Sequence, residues 1–302
     1  MAPLYPRIMA ADDRELHRRA PAPGGGPAET VGSWLAGQGH PARAGRALLS
    51  SGKVWIDATP VTDPGRPAAE GLRLYPDRPR FDPAKEVAVV ERTARWCVVH
   101  KPSGFLSVPA PGRREPSVVR ACERWFGAAF AVHRIDEGTS GLLLVALDEP
   151  TQVRLKALFE VHDLERRYLA LVRGTFPAGA HTVRSELVRD RGDGKRGSAA
   201  PGTPDAKVAV THFDRVGLFA GGSLVQATLE TGRTHQVRIH LAESGHPILG
   251  DDLYGGGRGG RLALHATVLG FRDPWTGRSH RWQAPLPDDL DRRVRGADTL
   301  RR

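Results

Sequence analysis

With 302 residues, 44 Lys plus Arg against 34 Asp plus Glu and a formal charge of +10, the chain can hold one large domain with a small companion. That charge suits a polyanionic partner whose phosphates its cations neutralise. Its two cysteines, Cys97 and Cys122, exclude a disulfide framework and a cysteine-rich zinc site and read as reduced core residues; no apolar run is long enough to span a bilayer, and Met1 to Ala22 has no signal-peptide core, so a cytoplasmic protein is expected.

Residues 1–28 end in Ala20-Pro21-Ala22-Pro23-Gly24-Gly25-Gly26-Pro27, a composition that buries little and predicts a flexible tail. From Glu29 the apolar pattern begins. Val31, Trp34 and Leu35 recur at helical spacing, and Ala44, Ala47, Leu48 and Leu49 predict a second short helix stopped by Gly52. Lys53-Val54-Trp55-Ile56-Asp57 reads as a strand turning at Ala58-Thr59 into Val61. This pattern over 29–78 resembles the alpha-L RNA-binding module shared with small-subunit ribosomal protein four, an αα-hairpin whose basic face meets RNA. The resemblance implies that Arg43, Arg46 and Lys53 are its RNA-facing cations. The match is partial, because Glu29-Thr30-Val31 stands where that family opens with Arg-Leu-Asp; the alternative is a small helical cap with solvated arginines.

Pro76-Asp77-Arg78-Pro79-Arg80 reads as a linker to a larger domain over 79–295, with 296–302 as a tail. Short apolar strands are predicted at Val87 to Val90, Trp96 to His100 and Leu142 to Ala146, then a helix from Thr151 to Val161. Further strands are expected at Arg167 to Val172 and near Val208 to Val216, Ser223 to Thr231 and Leu262 to Phe271. A helix is expected from Arg233 to Glu243, with Gly245 just past its end. Arg189 to Asp205 and Gly255 to Gly260 lack the strand–loop–helix setting of a phosphate loop and are expected to be mobile surface loops. Strands interrupted irregularly by helices predict an α+β domain with a largely antiparallel sheet.

The most informative run is His133-Arg134-Ile135-Asp136-Glu137-Gly138-Thr139-Ser140-Gly141-Leu142-Leu143-Leu144. It places histidine, arginine and carboxylate on a turn in front of a buried strand, as chemistry is often mounted. From these residues alone the plainer reading is favoured, with Asp136 shaping the turn and His133 a satisfied structural histidine. The run resembles the signature of the RluA-type pseudouridine synthases, H-R-L-D-x-x-T-S-G-L-L-L, with Ile135 as its one departure. A second segment, Gly232-Arg233-Thr234-His235-Gln236-Val237-Arg238-Ile239-His240-Leu241 continuing to Gly250-Asp251, resembles that family's other long motif.

The resemblance implies a mixed, largely antiparallel catalytic domain that isomerises uridine in RNA, ribosomal RNA first and transfer RNA next. The reaction exchanges an N1–C1′ for a C5–C1′ bond, so no cofactor is expected. Asp136 matches the essential carboxylate, whether it attacks C1′, attacks C6 or takes a ribose proton. Arg238 matches its paired arginine, which can grip a carboxylate bidentately and keep it ionised. Tyr168 matches the tyrosine that stacks on uracil and serves the departing C5 proton. Arg134 matches the arginine that enters the stack vacated by a flipped base, and Leu264 falls in a segment that walls the base. His235 and His240 are five apart and lack a Cys or Glu cluster, so structural or RNA-contacting histidines are expected and no metal. The competing hypothesis is a non-catalytic RNA-binding or remodelling protein that keeps the fold. A glycoside hydrolase ranks below it, since adjacent residues such as Asp136 and Glu137 rarely face each other across a substrate. RNA is the expected partner, without DNA or membrane, and a monomer is the default.

Overall fold

The computed structural model describes residues 29–56, 59–69, 72–74, 86–110, 117–161, 163–257 and 260–295. The expected tails at 1–28 and 296–302, the turn at Ala58 and the linker with its boundary near residue 78 lie outside the described residues. The chain forms two compact units. The first takes residues through Ile135, with Ser140–Ala157 and Trp282–Asp289, and the second takes Asp136–Thr139, Leu158–Arg281 and residues from Leu290 onward.

The first unit opens with α1 (Val31–Gly37) and α2 (Ala42–Ser50). Thr30 starts α1 with a capping box in which Ser33 takes the usual Glu or Gln position: Ser33 N–H donates to Thr30 Oγ1 at 3.1 Å, and Thr30 N–H to Ser33 Oγ at 2.9 Å. The helices bury Val31, Trp34, Leu35 and Leu49 against Val54 and Ile56 of β1 (Val54–Ile56) and Leu72 of β3 (Leu72–Leu74). Beside β1 also runs β2 (Thr59–Pro60), in the order β2-β1-β3. Arg43 and Arg46 stand one turn apart on α2, both exposed, while Lys53 is half-buried. The loop after β2 is tied to a residue far along the chain. The Asp288 carboxylate accepts from Thr62 N–H and Oγ1 at 2.7 Å each, from Asp63 N–H at 2.8 Å and from Arg66 Nη1 at 2.8 Å.

The same unit contains β4 (Ala88–Arg92), β5 (Trp96–Lys101), α3 (Val118–Phe126), β6 (Phe130–Ala131), β7 (Ser140–Ala146) and the start of α4 (Glu149–Glu160). β5 and β7 are buried along their whole length, the reason their sequences read as continuous apolar runs rather than alternation. β5 pairs antiparallel with β4 and β7, and β6 pairs with β7. α3 was not expected from the sequence. Ser117 caps it, accepting from Arg120 N–H at 3.3 Å.

The second unit is built on β8 (Leu164–Arg173), β9 (Ala180–Val188), β10 (Gly197–Ala199), β11 (Lys207–Phe219), β12 (Gly222–Leu229) and β13 (Leu264–Arg272), in the order β10-β9-β11-β12-β8-β13. These ladders are all antiparallel, and β14 (Ser279–Gln283) pairs with β13. The α+β class with a largely antiparallel sheet is therefore the observed one. The chain ends its described part in α6 (Asp288–Arg295).

Two expectations are corrected. The segment Arg189 to Asp205 is not a featureless loop: β10 lies within it and pairs with β9, which the charged, Gly-rich composition concealed. The helix expected from Arg233 is shorter, α5 spanning Gln236–Glu243, because His235 adopts a left-handed backbone at φ 60° and resets the chain there. Gly245, at φ 82°, follows its C-cap as expected.

Candidate active site

Three segments of the second unit meet around Asp136. The first is the turn Asp136–Thr139, closed by Thr139 N–H donating to the Asp136 carbonyl at 3.0 Å. Its entry is fixed in the first unit, where Ser107 Oγ accepts from Ile135 N–H at 3.0 Å and donates to Ile135 C=O at 2.7 Å. His133 Nε2 accepts from Leu144 N–H at 3.0 Å, so this ring holds the loop to β7, as the plainer reading expected of it.

The second segment is α5 with the two residues before it. Gln236 uses its whole amide to lock the helix down. Its Oε1 accepts from Thr231 Oγ1 at 2.7 Å and Arg233 N–H at 2.9 Å, while Nε2 donates to Val210 C=O and Thr211 Oγ1 at 2.9 Å each. One turn along, His240 is wholly buried between the hydroxyls of Thr211 and Ser185, at 2.9 and 3.0 Å. Burial pushes its pKa down to about 4, so it is a neutral structural histidine. With this anchoring, Arg238 projects from a fixed position.

The third segment runs from Pro247 to Ala263 and fastens to β8 where β13 leaves it. Leu249 N–H donates to Leu171 C=O at 2.8 Å, and Leu171 N–H to Ala263 C=O at 3.0 Å. Two glycines permit the tight path. Gly250 is at φ 77°, and a Cβ at Gly256 would lie on the Ile248 carbonyl oxygen. The fold of this segment buries Asp251 completely.

Arg238 joins the three. Its Nε donates to Asp251 Oδ2 at 2.7 Å and its Nη2 to Asp251 Oδ1 at 2.9 Å, while Nη1 reaches Asp136 Oδ2 at 3.3 Å. The expected pairing with Asp136 is present, but the bidentate grip belongs to Asp251. Burial pulls the Arg238 pKa down, and the Asp251 and Asp136 carboxylates outweigh it, so the guanidinium lies above its ordinary value. Asp136 is the accessible carboxylate, 19% exposed against 0% for Asp251.

Two aromatic groups and a histidine complete the surroundings. Tyr168, half-buried on β8, has its hydroxyl pushed up to about 12, chiefly by burial, with Arg166 opposing and the nearby Asp136 carboxylate adding to the rise. Tyr254 lies under the Arg238 guanidinium, 5.1 Å from ring centroid to Cζ. Its hydroxyl meets His235 Nδ1 at 3.0 Å, and His235 Nε2 stands 3.9 Å from Asp136 Oδ1. Asp251 and Tyr254 were not picked out from the sequence, and His235 was read only as a structural or RNA-contacting histidine, although Asp251 and His235 lie inside the second motif. Only a fold that returns 251 to 238 gives them meaning.

The remaining expected residues are more dispersed. Leu264 is buried on β13, across from Ala170, and it is Leu262 that packs on the turn, 3.1 Å from where a Cβ on Gly138 would be. Arg134 is exposed in the first unit, as are Arg43 and Arg46. The β9–β10 hairpin brings a further cation. Ser198 donates from N–H and Oγ to the Glu243 carboxylate at 3.0 and 2.6 Å, and Lys195 Nζ donates to Leu253 C=O at 3.2 Å. Between these anchors, Arg196 lies close enough for its charge to act on His235 and Tyr254.

Such a site offers one reachable carboxylate, a cation it does not own alone, and a neutral phenol. The chain matches a family model described as RNA pseudouridylate synthase over residues 95–243. It is 38% identical over 205 residues to an uncharacterized RNA pseudouridine synthase of Bacillus subtilis, covering 64% of this chain and 67% of the relative. Against ribosomal large subunit pseudouridine synthase D of Vibrio vulnificus it is 33% identical over 283 residues, covering 84% and 85%. Human RNA pseudouridylate synthase domain containing 1 superposes with a TM-score of 0.57 at 27% identity, over 67% of this chain and 84% of that one. Among the described residues no helix is long and apolar enough to cross a membrane. Likeness of this extent, with the segments carrying both Asp136 and Arg238 inside the matched region, means that the chain belongs to the RluA-type pseudouridine synthases and is an RNA pseudouridine synthase.

Proposed function

We propose that this enzyme isomerises uridines in large-subunit ribosomal RNA, with transfer RNA the second choice, and that Asp136 is its reactive group. One observation carries the assignment of Asp136: it is the solvent-reachable member of a two-carboxylate, one-arginine cluster whose buried member, Asp251, already holds the arginine. The reaction breaks N1–C1′, turns the uracil over, forms C5–C1′, and moves one proton from C5 to N1, so atoms balance without a co-reactant. An ionised carboxylate serves attack at C1′, attack at C6, or removal of a ribose proton alike. Because the Tyr168 phenol stays protonated until about pH 12, it acts on the C5 proton as a relay, passing its own proton on as it receives the leaving one.

Arg134 is assigned to the gap left by the flipped nucleotide, and Leu264 with Leu262 to the apolar wall. Flipping costs a few kcal/mol, which favours loops and unpaired sites. Arg43, Arg46 and Lys53 of the N-terminal module are assigned to the RNA backbone, consistent with their places on and beside α2. The ribosomal target rests on the names of relatives, cytoplasmic action is inferred from that target, and a monomer is the default. The test is pseudouridine mapping of total RNA from cells with and without the gene. Loss of one or a few sites, restored by the wild type but not by Asp136→Asn, is the expected result. No lost site in ribosomal or transfer RNA overturns the substrate assignment, and restoration by Asp136→Asn overturns the role of Asp136.

A further inference from the structure

We infer that His235 is a positioning residue for the isomerisation, setting its Nε2–H opposite Asp136 Oδ1 so that the electrostatic contact fixes the plane of the reactive carboxylate. The inference rests on the reading of Asp136 as the reactive group. Its starting point is backbone geometry. Among the described residues only Asp205 and His235 combine a side chain with positive φ, and Asp205 sits in an exposed turn. His235 instead occupies the N-cap of α5, where Ser, Thr, Asp or Asn ordinarily caps the first turn, yet it makes no side-chain cap bond. Both the unusual backbone and the lost cap place the ring elsewhere, and elsewhere is Asp136.

Each ring nitrogen faces a polar group, one within hydrogen-bond distance and one beyond it. Nδ1 meets Tyr254 Oη at 3.0 Å, and the rings cross edge-on with centroids 5.7 Å apart. Nε2 faces Asp136 Oδ1 at 3.9 Å. An unprotonated Nε2 would set its lone pair against those of a carboxylate. The proton therefore belongs on Nε2, and Tyr254 donates its hydroxyl to Nδ1 to hold that tautomer. Tyr254 is able to donate, since burial raises its pKa and keeps the phenol protonated. Burial also lowers the pKa of His235. Arg238 and Arg196 act in the same direction, and Asp136 and Asp251 oppose them. The ring is a neutral donor, and it orients the carboxylate without cancelling its charge.

The two Asp136 oxygens are thus addressed separately, Oδ2 by Arg238 and Oδ1 by His235. A single anchor leaves the carboxylate free to rotate, whereas two anchors fix the direction of its lone pairs before the substrate arrives. At 3.9 Å the Nε2–H contact with Oδ1 is electrostatic rather than a hydrogen bond.

The test uses the full-length protein and RNA labelled with [5-³H]uridine from cells lacking the gene, since release of the C5 proton reports turnover. His235→Gly suits the left-handed backbone and leaves a ring-sized hole. It is expected to lower the single-turnover rate by about 10- to 100-fold, since a misplaced reacting group can cost about 100-fold, with RNA retention on filters unchanged within about two-fold. Added imidazole restores part of the rate. His235→Gln, whose amide N–H can take the place of Nε2–H, retains more activity than His235→Leu. Full activity in His235→Gly, a loss seen only in RNA retention, or equal rates for the Gln and Leu variants overturns the inference. Asp136→Asn is assayed in parallel. If it is dead while His235→Gly is fully active, the role of His235 alone is wrong; if it turns over normally, the reading of Asp136 falls first.

Discussion

Replacing Asp251 by Asn removes one negative charge and keeps the shape of the side chain. In the wild type, Asp251 holds Arg238 through two bonds of 2.7 and 2.9 Å and also accepts from Tyr254 N–H at 3.2 Å. At 2.7 Å and an effective dielectric near 20, the Coulomb attraction is about 6 kcal/mol, much of it offset by the desolvation of a fully buried carboxylate. Breaking a buried pair by removing one partner costs about 3–5 kcal/mol, and Asn retains an oxygen for one of the bonds, so the loss should fall near 3 kcal/mol. Large domains lose roughly 2–4 °C in Tm per kcal/mol, which places the variant roughly 6–12 °C below wild type. The freed guanidinium then turns its fork onto Asp136, so turnover should fall further than fold stability alone explains. The assay is thermal unfolding of Asp251→Asn, Arg238→Gln and the double variant, with tritium release measured well below each Tm. If the pair is coupled, the double variant is less destabilised than the sum of the singles by about 1–3 kcal/mol. Strict additivity, or a Tm equal to wild type, would refute the argument that Asp251 holds Arg238.

Tyr168→Phe should abolish or sharply reduce turnover while RNA retention persists. The wild-type pH–rate profile should show no descending limb from this phenol below about pH 11, because its folded pKa is about 12; such a limb that vanishes in the Phe variant would count against a neutral relay. His240 has a folded pKa depressed to about 4 from 6.5, so its contribution is present above pH 6.5 and lost as pH falls toward 4. That amounts to about 3 kcal/mol, and denaturant titration should show a shallower acid decline in His240→Gln than in wild type. Glu243→Ala removes the carboxylate that receives Ser198, and hydrogen exchange over 197–199 should quicken at least tenfold while the rest of the sheet keeps its protection.

What could be read from the chain depended on how local each signal is. Buried strands such as Leu142 to Ala146 announce themselves as apolar runs, and their bounds moved by a residue or two. β9 hid because its exposed, half-polar sequence Ala180–Val188 lacks an apolar face, and β10 hid inside a Gly-rich, charged stretch. Asp136 and Arg238 were legible through the two motifs, whereas the division of labour between Asp136 and Asp251 was not. A motif records that an arginine is present, not which of two carboxylates takes its fork. His235 was legible as a motif histidine read as structural or RNA-contacting, not as a neighbour of Asp136. Its value depends on a backbone angle that no spacing rule reports.

The bonds to Asp288 change how the ends of this chain should be cut. A deletion series would treat the N-terminal helices as a separable piece, yet the loop at Thr62–Arg66 donates four bonds to a carboxylate more than 220 positions downstream, a clasp in which the Arg66 and Asp288 side chains are only 6% exposed each. Trimming the chain ahead of residue 288 strips that loop of its acceptor and leaves Arg66 a buried cation without its carboxylate. A defect after C-terminal truncation would then be a defect of the Thr62–Arg66 loop, expressed from the far end of the polypeptide. Boundaries for expressed fragments, and sites for fused tags, have to respect that clasp.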